Sequence, residues 1–154
     1  MIQNVKKILA PIDFSDFSMD AMQGAKDLAN DVGADVHLVH VVVPHFLIIP
    51  LPLATSADQS FEQTRESAMT QQAEEELARL KKDEFGNSPK VVTAVLNGSP
   101  VKMLIEYAEQ NAIDLIMLST HGRSGVERVL IGSVAEKLVR LAPCSVLVLR
   151  RARR

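Results

Sequence analysis

The sequence contains only one cysteine, Cys144, among its 154 residues. A single cysteine excludes a disulfide within the chain, and such sparing use of cysteine is typical of proteins in a reducing compartment. We therefore expect a cytoplasmic protein. Cys144 follows Pro143 and precedes an apolar run, so we interpret it as a small buried side chain rather than a reactive thiol.

An excess of charge of either sign is also lacking. The 17 Lys and Arg residues nearly balance the 19 Asp and Glu residues, which leaves a formal net charge of −2. Broad attraction to nucleic acid or to a membrane surface needs a marked basic excess, so we expect neither partner. The last residues of the sequence form a local basic tail. We interpret it as a solvated end, with contact to an acidic partner as the alternative. It consists of Arg150, Arg151, Arg153 and Arg154.

No hydrophobic run is long enough to suggest a membrane span or a secretory signal. The longest apolar stretch, 36–53, is interrupted by His37, His40 and His45 and by prolines, which argues against a span. The apolar segment near the N-terminus is broken at Asp13 and has no signal-peptide core, so we expect no secretory signal.

Several sequence motifs of enzymes are missing too. No G-x-x-x-x-G-K-[ST] sequence supplies a phosphate-loop lysine, and no G-x-G-x-x-G sequence indicates a nicotinamide or flavin dinucleotide. His37 and His40 are three residues apart on a predicted strand, so their side chains should point to opposite faces and make a poor metal pair. No Ser/His/Asp arrangement can be assigned. The sequence therefore predicts a binding protein without evident catalytic machinery.

Short β-branched runs alternate with helical patterns along the chain. Strands are predicted at 7–12, 36–43, 91–96, 114–118 and 145–149. Helices are predicted from a cap at Ser15 or Ser18 to Gly33, over 61–84, from Pro100 after a Ser99 cap, and over 132–141. The long second helix should carry on one side the apolar residues Ala68, Met69, Ala73, Leu77 and Leu80.

This alternation predicts the fold class. Central strands that are apolar on both faces indicate an open parallel sheet covered by helices on both sides. No repeat or linker divides the chain, so residues 1–154 should form one doubly wound α/β domain. In such sheets, ligands lie beyond the carboxyl ends of the strands, where the winding direction switches.

Residues 117–134 are the most informative segment. An apolar run ends in Ser119, glycines follow at Gly122 and Gly125, and Gly132-Ser133 begins the last helical pattern. Glycine permits close approach to the main chain, and the first N–H groups of a helix are unpaired at the positive end of its dipole. The segment predicts a nucleotide-phosphate site. Ser133 could bind a phosphate oxygen, cap its own helix, or do both.

Asp13 ends the first strand and would face the same crevice if the first and fourth strands are neighbours. Its carboxylate could accept hydrogen bonds from ribose hydroxyls, or it could cap the first helix together with Ser15; both alternatives stay open. Arg123 and Arg128 could offset phosphate charge or be solvated. His121 is interpreted as a loop residue rather than a general base.

Four segments resemble the universal stress protein family, and the resemblance covers about residues 5–150. They are Ile8–Ser15, His40-Val41, residues 119–125 together with 132–136, and Pro143–Leu149. The ATP-binding branch of that family carries G-x2-G-x9-G-[S/T]. Gly122, Gly132 and Ser133 match this signature with the spacing of nine, whereas Ser119 replaces its first glycine. Serine permits close approach if the backbone at this position does not need a positive φ.

The resemblance implies a Rossmann-like, adenine nucleotide alpha hydrolase-like sheet of order 3-2-1-4-5 that binds ATP at the ends of strands one and four. The implied contacts are Pro11, Ile12 and Val41 with adenine, Asp13 and Ser119 with ribose, and Gly122, Arg123, Gly132, Ser133 and Val134 with the phosphates. A Mg²⁺ or Mn²⁺ ion would be carried on the phosphates, because the sequence offers no protein ligand set. ADP and AMP are alternative ligands.

The resemblance also implies a homodimer formed through the last strand, 145–149, whose apolar edge would otherwise be unprotected. We expect a stress-response or regulatory protein in which nucleotide occupancy biases conformation or the choice of a protein partner. The apolar loop 44–58 is expected either to move or meet that partner, or to fold onto its own domain. A slow ATPase and a nucleotide-free dimerising module are the alternative functions.

Overall fold

The computed structural model describes residues 5–44, 56–88, 90–120 and 132–150. Strands and helices alternate along this part of the chain, as the sequence predicts. They are β1 (Lys7–Pro11), α1 (Asp16–Val32), β2 (Asp35–Val42), α2 (Ser56–Phe85), β3 (Val91–Asn97), α3 (Pro100–Gln110), β4 (Leu115–Ser119), α4 (Ser133–Leu141) and β5 (Ser145–Leu149). None of these helices is both long enough and apolar enough to cross a membrane.

The five strands form one parallel sheet in the order β3-β2-β1-β4-β5. Leu9 of the central strand β1 lies opposite His37 of β2 on one side and Ile116 of β4 on the other. The chain winds outward from β1 to β3 and then returns to β4 and β5, so the winding direction switches between β1 and β4. This arrangement confirms the predicted doubly wound fold and its strand order.

Side-chain alternation along β1 divides the core between the two faces of the sheet. Ile8 and Ala10 contribute to the cluster under α1 and α2, whereas Leu9 contributes to the cluster under α3 and α4. All three side chains are fully buried. A central parallel strand with helices on both sides removes apolar surface from water on both faces, which is the main stabilising contribution to the fold.

The limits of α1 follow from its capping residues. Ser15 is the N-cap, and its hydroxyl oxygen accepts a hydrogen bond from the Ser18 amide at 3.3 Å. Gly33 ends the helix at φ 76°, a left-handed conformation that glycine adopts at no steric cost. Of the two serines that the sequence offered as caps, Ser15 is therefore the cap. Ser18 is buried, and its hydroxyl donates to the Ser15 carbonyl.

Helix α2 begins at Ser56, five residues before the predicted start at Phe61. Residues 56–58, expected to belong to the loop 44–58, are therefore helical. Residues 45–55 of that loop lie outside the described residues. The hydrophobic pattern did not predict this start, because the first turns of α2 are polar on most sides and lack an apolar period.

The apolar side of α2 is buried only toward the C-terminal end of the helix. Ala73 and Leu77 are buried, but Ala68 and Met69 are exposed. Ala68 and Met69 are exposed because α2 extends beyond the strands on which it packs. The Thr70 hydroxyl lies 3.1 Å from Oδ1 of Asn97, the last residue of β3, so the helix residues before Thr70 project past the strand ends.

Candidate functional site

A cleft of about 320 Å³ opens at the carboxyl ends of β1, β2 and β4, where the winding direction of the sheet switches. The first turns of α3 and α4 form its other walls. It is lined by Pro11, Ile12, Asp13, Ser18, Val39, His40, Val41, Val43, Pro100, Leu104, Leu118, Ser119, Gly132, Ser133, Val134 and Ala135.

Eight of the ten site residues expected from the sequence line this cleft. They are Pro11, Ile12, Asp13, Val41, Ser119, Gly132, Ser133 and Val134. Gly122 and Arg123 lie outside the described residues, as do His121 and Arg128. The pairing of β1 with β4 brings Asp13 and the start of α4 to the same cleft, as the sequence argument required.

The main chain of Val41 is directed into the cleft. The Val39 carbonyl accepts a hydrogen bond from the Ile12 amide at 2.8 Å, so Val39 turns its polar main-chain groups toward β1. Because these groups alternate in direction along a strand, Val41 turns its N–H and C=O to the same side. β1 ends at Pro11, opposite Val39, so the Val41 groups point past the end of β1.

Asp13 begins the turn between β1 and α1. Its Oδ1 atom accepts hydrogen bonds from the Ser15 amide at 2.9 Å and the Ser15 hydroxyl at 2.5 Å, which forms an Asx-turn. The Asp13 amide donates to the Ser18 hydroxyl oxygen at 3.3 Å. The capping role that the sequence left open is therefore present, since the carboxylate is bonded to the N-cap residue of α1. The same contacts orient the carboxylate at the edge of the cleft.

His40 connects this turn to β2. Its Nδ1 atom lies 2.7 Å from the Ile12 carbonyl oxygen, which only accepts hydrogen bonds, so Nδ1 is the donor. The imidazole also lies against the Phe14 ring, with 4.9 Å between the ring centroids. No role of His40 at this turn was expected from the sequence, in which it was considered as half of a poor metal pair with His37. The contact of His40 with a carbonyl 28 residues away has no sequence signature.

Helix α4 presents its first turn to the cleft. Gly132 is the N-cap and Ser133 the first helical residue, and the first helical hydrogen bond runs from the Glu136 amide to the Gly132 carbonyl at 2.9 Å. The amides of Ser133 and Val134 therefore have no acceptor within the helix, as in the first turn of any α-helix. Both residues line the cleft.

Two details of this helix start differ from the expectation. The Gly132 amide, which was expected to face a phosphate, donates to the Thr120 carbonyl at 2.5 Å and so is used within the protein. Ser133 lies one residue after the N-cap, so its hydroxyl does not cap the helix. Capping was one of the two roles left open for Ser133, and it is wrong because Gly132 takes the cap position.

Ser119 stands where the ATP-binding signature has its first glycine. It is the last residue of β4 and lies opposite Leu149 of β5. Among the described residues other than glycine, only Phe14 and Ala112 have a positive φ. Ser119 therefore has a backbone conformation that any residue can adopt, and the condition set for serine at this position is met.

The other histidine of β2 does not line the cleft. His37 is buried against α3, and its Nδ1 atom lies 2.9 Å from the Tyr107 hydroxyl. Burial lowers the pKa of His37, Lys7 lowers it further and Asp35 opposes the shift. The two histidines thus point to opposite faces, as predicted. Across the described part of the chain, no group of three or more His, Cys, Asp and Glu side chains could hold a metal ion.

The model of the universal stress protein family matches residues 4–150. The chain belongs to this family. Universal stress protein MJ0531 of Methanocaldococcus jannaschii is 36% identical over 97% of this chain and 84% of that protein. Universal stress protein A homolog 1 of Coxiella burnetii is 32% identical over 92% of this chain and 94% of that protein.

Solved structures agree with the fold of this universal stress protein. The structure of MJ0577 of Methanocaldococcus jannaschii has a TM-score of 0.83 at 26% identity and covers 97% of this chain and 99% of that chain. UspA from Lactobacillus plantarum has a TM-score of 0.81 at 27% identity, covering 95% and 98%. A universal stress protein in complex with cAMP has a TM-score of 0.59 at 20% identity, covering 95% and 97%, which shows the fold alone.

Proposed function

We propose that this universal stress protein binds an adenine nucleotide, in the first place ATP, in the cleft at the ends of β1, β2 and β4. It acts as a cytoplasmic regulatory protein in stress response. The observation that supports the proposal is the convergence of three complementary groups on one cleft. These are the main chain of Val41, the carboxylate of Asp13 and the first amides of α4.

The base would lie against the end of β2. The N–H and C=O of Val41 offer one donor and one acceptor, which suit the polar edge of a purine. The side chains of Pro11 and Ile12 provide apolar surface for the ring faces. An apolar lining with a few placed polar groups is typical of small-molecule sites, and the volume of about 320 Å³ is within their usual range.

The ribose would lie beside Asp13, with Ser119 on the β4 side of the cleft. An ionised carboxylate accepts hydrogen bonds only, and charge-assisted bonds from hydroxyl donors are strong. The bonds from Ser15 orient this carboxylate before any ligand arrives. Prior orientation reduces the entropy cost of binding.

The phosphates would lie at the start of α4. The amides of Ser133 and Val134, which have no acceptor within the helix, and the positive end of the helix dipole favour an anion there. The Ser133 hydroxyl, exposed and not needed for capping, adds a donor. Gly122 and Arg123 complete the phosphate-binding set that the family resemblance implies, whereas Gly132 contributes as the N-cap of α4, because its amide is bonded to Thr120. Mg²⁺ or Mn²⁺ would be held mainly by the phosphates.

A regulatory role is favoured over a turnover enzyme. ATP hydrolysis needs a positioned base or a metal held by the protein. Among the described residues, no group of three or more His, Cys, Asp and Glu side chains could hold a metal ion, and the one carboxylate of the cleft, Asp13, would lie beside the ribose rather than the phosphates. ATP binding instead regulates if two conformations of the protein differ in affinity for it. Slow hydrolysis in the same cleft is the second candidate.

We also propose that the protein forms a homodimer through β5 and acts on a protein partner in a nucleotide-dependent way. β5 is an edge strand of the sheet, and an unpaired edge invites pairing with another chain. Leu147 on this strand is 40% exposed. Val139 and Leu141 of α4 are also exposed, but α4 packs on the face of the sheet opposite to Leu147. A second copy paired along β5 would cover the strand edge and Leu147.

The nucleotide proposal is tested by heat-denaturing purified protein and separating the released small molecules by chromatography. A co-purified adenine nucleotide supports it, and AMP, ADP, ATP and cAMP are distinguished in the same run. Thermal unfolding with Mg-ATP should show a raised Tm, since a ligand at 100 times its Kd stabilises the folded state by about 2.7 kcal/mol. Absence of both effects would indicate a nucleotide-free module, and ADP accumulating over many turnovers would indicate an ATPase.

A matched pair of variants tests the site itself. Asp13→Asn keeps the Asx-turn, because asparagine forms the same turn, but removes the charge. It should weaken ATP binding about tenfold or more, the usual effect of losing a hydrogen bond to a charged group. Asp16→Asn changes an exposed carboxylate three residues away, outside the cleft, and should leave the Kd unchanged. Equal ATP affinities of the two variants would show that Asp13 does not contribute to nucleotide binding.

A further inference from the structure

His40 contacts both neighbours of Asp13 in the chain. Its Nδ1–H donates to the carbonyl of Ile12, the residue before Asp13, at 2.7 Å. Its ring lies against that of Phe14, the residue after Asp13, with 4.9 Å between centroids and 40° between ring planes. One side chain from β2 therefore contacts the main chain before Asp13 and the side chain of the residue after it.

The turn at Asp13 needs such an anchor because of its backbone conformation. Phe14 has φ 62°, in the left-handed region that bulky side chains seldom occupy, so surrounding contacts must hold it there. The bonds between Asp13 and Ser15 lie within the turn and would move with it. His40 belongs instead to a strand that pairs with β1 on one side and β3 on the other.

We propose that His40 is a positioning residue that sets the orientation of the Asp13 carboxylate, and thereby the preference of the cleft for nucleotides with intact ribose hydroxyls. The inference rests on the proposed nucleotide site. The Nδ1–H bond to Ile12 is the directional contact, and hydrogen bonds weaken steeply with lengthening and misalignment. The Ile12 amide stays bonded to the Val39 carbonyl, so without the Nδ1–H bond the turn rotates about that point, and Asp13 loses its alignment with the ribose.

The test compares the Kd of ATP with that of 2′,3′-dideoxy-ATP by calorimetry. Wild-type protein should bind ATP about tenfold or more tightly than the dideoxy nucleotide, the effect of hydrogen bonds to a charged group. His40→Phe keeps an aromatic ring beside Phe14 but removes the donor, and should reduce this ratio at least about threefold. His40→Asn places an amide N–H near the position of Nδ1 and should retain more of the ratio than His40→Phe.

The ratio separates positioning from stability. A variant that is partly unfolded binds both nucleotides less well by the same factor, which cancels in the ratio. His37→Phe is the matched control, because His37 lies on the same strand but faces α3, outside the cleft. It should lower stability and leave the ratio unchanged.

The possible failures are distinguishable. If wild-type protein binds neither nucleotide, the proposed function falls and this inference falls with it. If Asp13→Asn loses the preference for ATP but His40→Phe keeps the wild-type ratio, only the inference is overturned. Should the His40 variants not fold, the nitrogen chemical shifts of His40 in wild-type protein decide. An unprotonated Nδ1 in the neutral ring would refute the bond to Ile12, and a protonated Nδ1 would support it.

Discussion

The Nδ1 atom of His37 lies 2.9 Å from the hydroxyl of Tyr107 and joins β2 to α3 on the face of the sheet that His40 does not share. The two rings meet edge to face, with their centroids 5.8 Å apart. His37 is only 5% exposed, so its charged form would lose most of its hydration on folding. Burial accordingly lowers the pKa of His37, and Lys7 adds to the effect.

We expect the free energy of unfolding to fall as the pH drops below 6.5. Unfolded His37 takes up a proton near its ordinary pKa of 6.5, whereas folded His37 stays neutral until the pH reaches its lowered pKa. The stability contributed by neutral His37 is therefore complete above pH 6.5 and is lost between these two pKa values. His37→Phe should lose less stability than wild type between about pH 7.5 and 5.5 in urea unfolding.

The control for this pH dependence is Tyr107→Phe. It removes the hydroxyl partner but keeps His37 buried and able to titrate, so the wild-type dependence on pH should persist at lower overall stability. If wild type and His37→Phe lose the same stability over this range, His37 is not the group responsible.

The fold was predictable because each strand has a local signature. β4 and β5 were expected at 114–118 and 145–149 and occur at Leu115–Ser119 and Ser145–Leu149, since short β-branched runs bounded by turn residues indicate buried strands. The start of α2 at Ser56 was not predictable in this way. Its first turns are polar in sequence, and Phe61, Ala68 and Met69 further along the helix are exposed, so no apolar period marks its N-terminal half.

The candidate site likewise has features that the sequence predicts and features that it does not. Asp13 and Gly132 were predictable because a residue after a buried strand and a glycine before a helix have fixed places in a doubly wound sheet. The contact of His40 with Ile12 and the use of the Gly132 amide by Thr120 were not. Both depend on how the strand ends and turns lie in space, which a single sequence does not specify.

Gly98 follows β3 with φ 144°, a conformation that side chains other than glycine rarely adopt. A Cβ atom there would also lie 3.0 Å from Cγ of Met103. Gly98→Ala should lower the free energy of unfolding by about 1–3 kcal/mol, measured in urea. The control is Gly86→Asn, at φ 62° with no atom near the added Cβ, which should be nearly neutral since asparagine tolerates this conformation. Equal effects of the two substitutions would contradict the argument.

The proposed dimer can be tested on its two candidate edges. Leu147 on β5 and Val92 on β3 are 40% and 42% exposed and lie on opposite edge strands. Leu147→Lys should shift the protein to a monomer in sedimentation-velocity experiments, because burying an unpaired charge at an interface is costly. Val92→Lys should leave the mass unchanged. If only Val92→Lys dissociates the dimer, the interface is at β3. If the wild-type protein is a monomer, the dimer proposal is wrong.

The first residue of α4 allows one backbone donor to be deleted without disturbing the helix. Proline is favoured at the first helical position, and the Gly132 conformation, φ −64° and ψ 152°, is one that a residue before proline readily adopts. Ser133→Pro should therefore fold with wild-type stability and lack both the hydroxyl and the N–H of Ser133.

If these amides bind phosphate, Ser133→Pro should weaken ATP binding about tenfold or more, since it removes a hydrogen bond to a charged group. Ser133→Ala removes only the hydroxyl and so measures the contribution of the hydroxyl to ATP binding. The difference in Kd between the two variants then gives the contribution of the amide. Adenosine, which has no phosphate, should bind both variants as it binds wild type. Equal ATP affinities for Ser133→Ala and Ser133→Pro would mean that the Ser133 amide does not contact the phosphates, and the phosphate position at α4 would have to be abandoned.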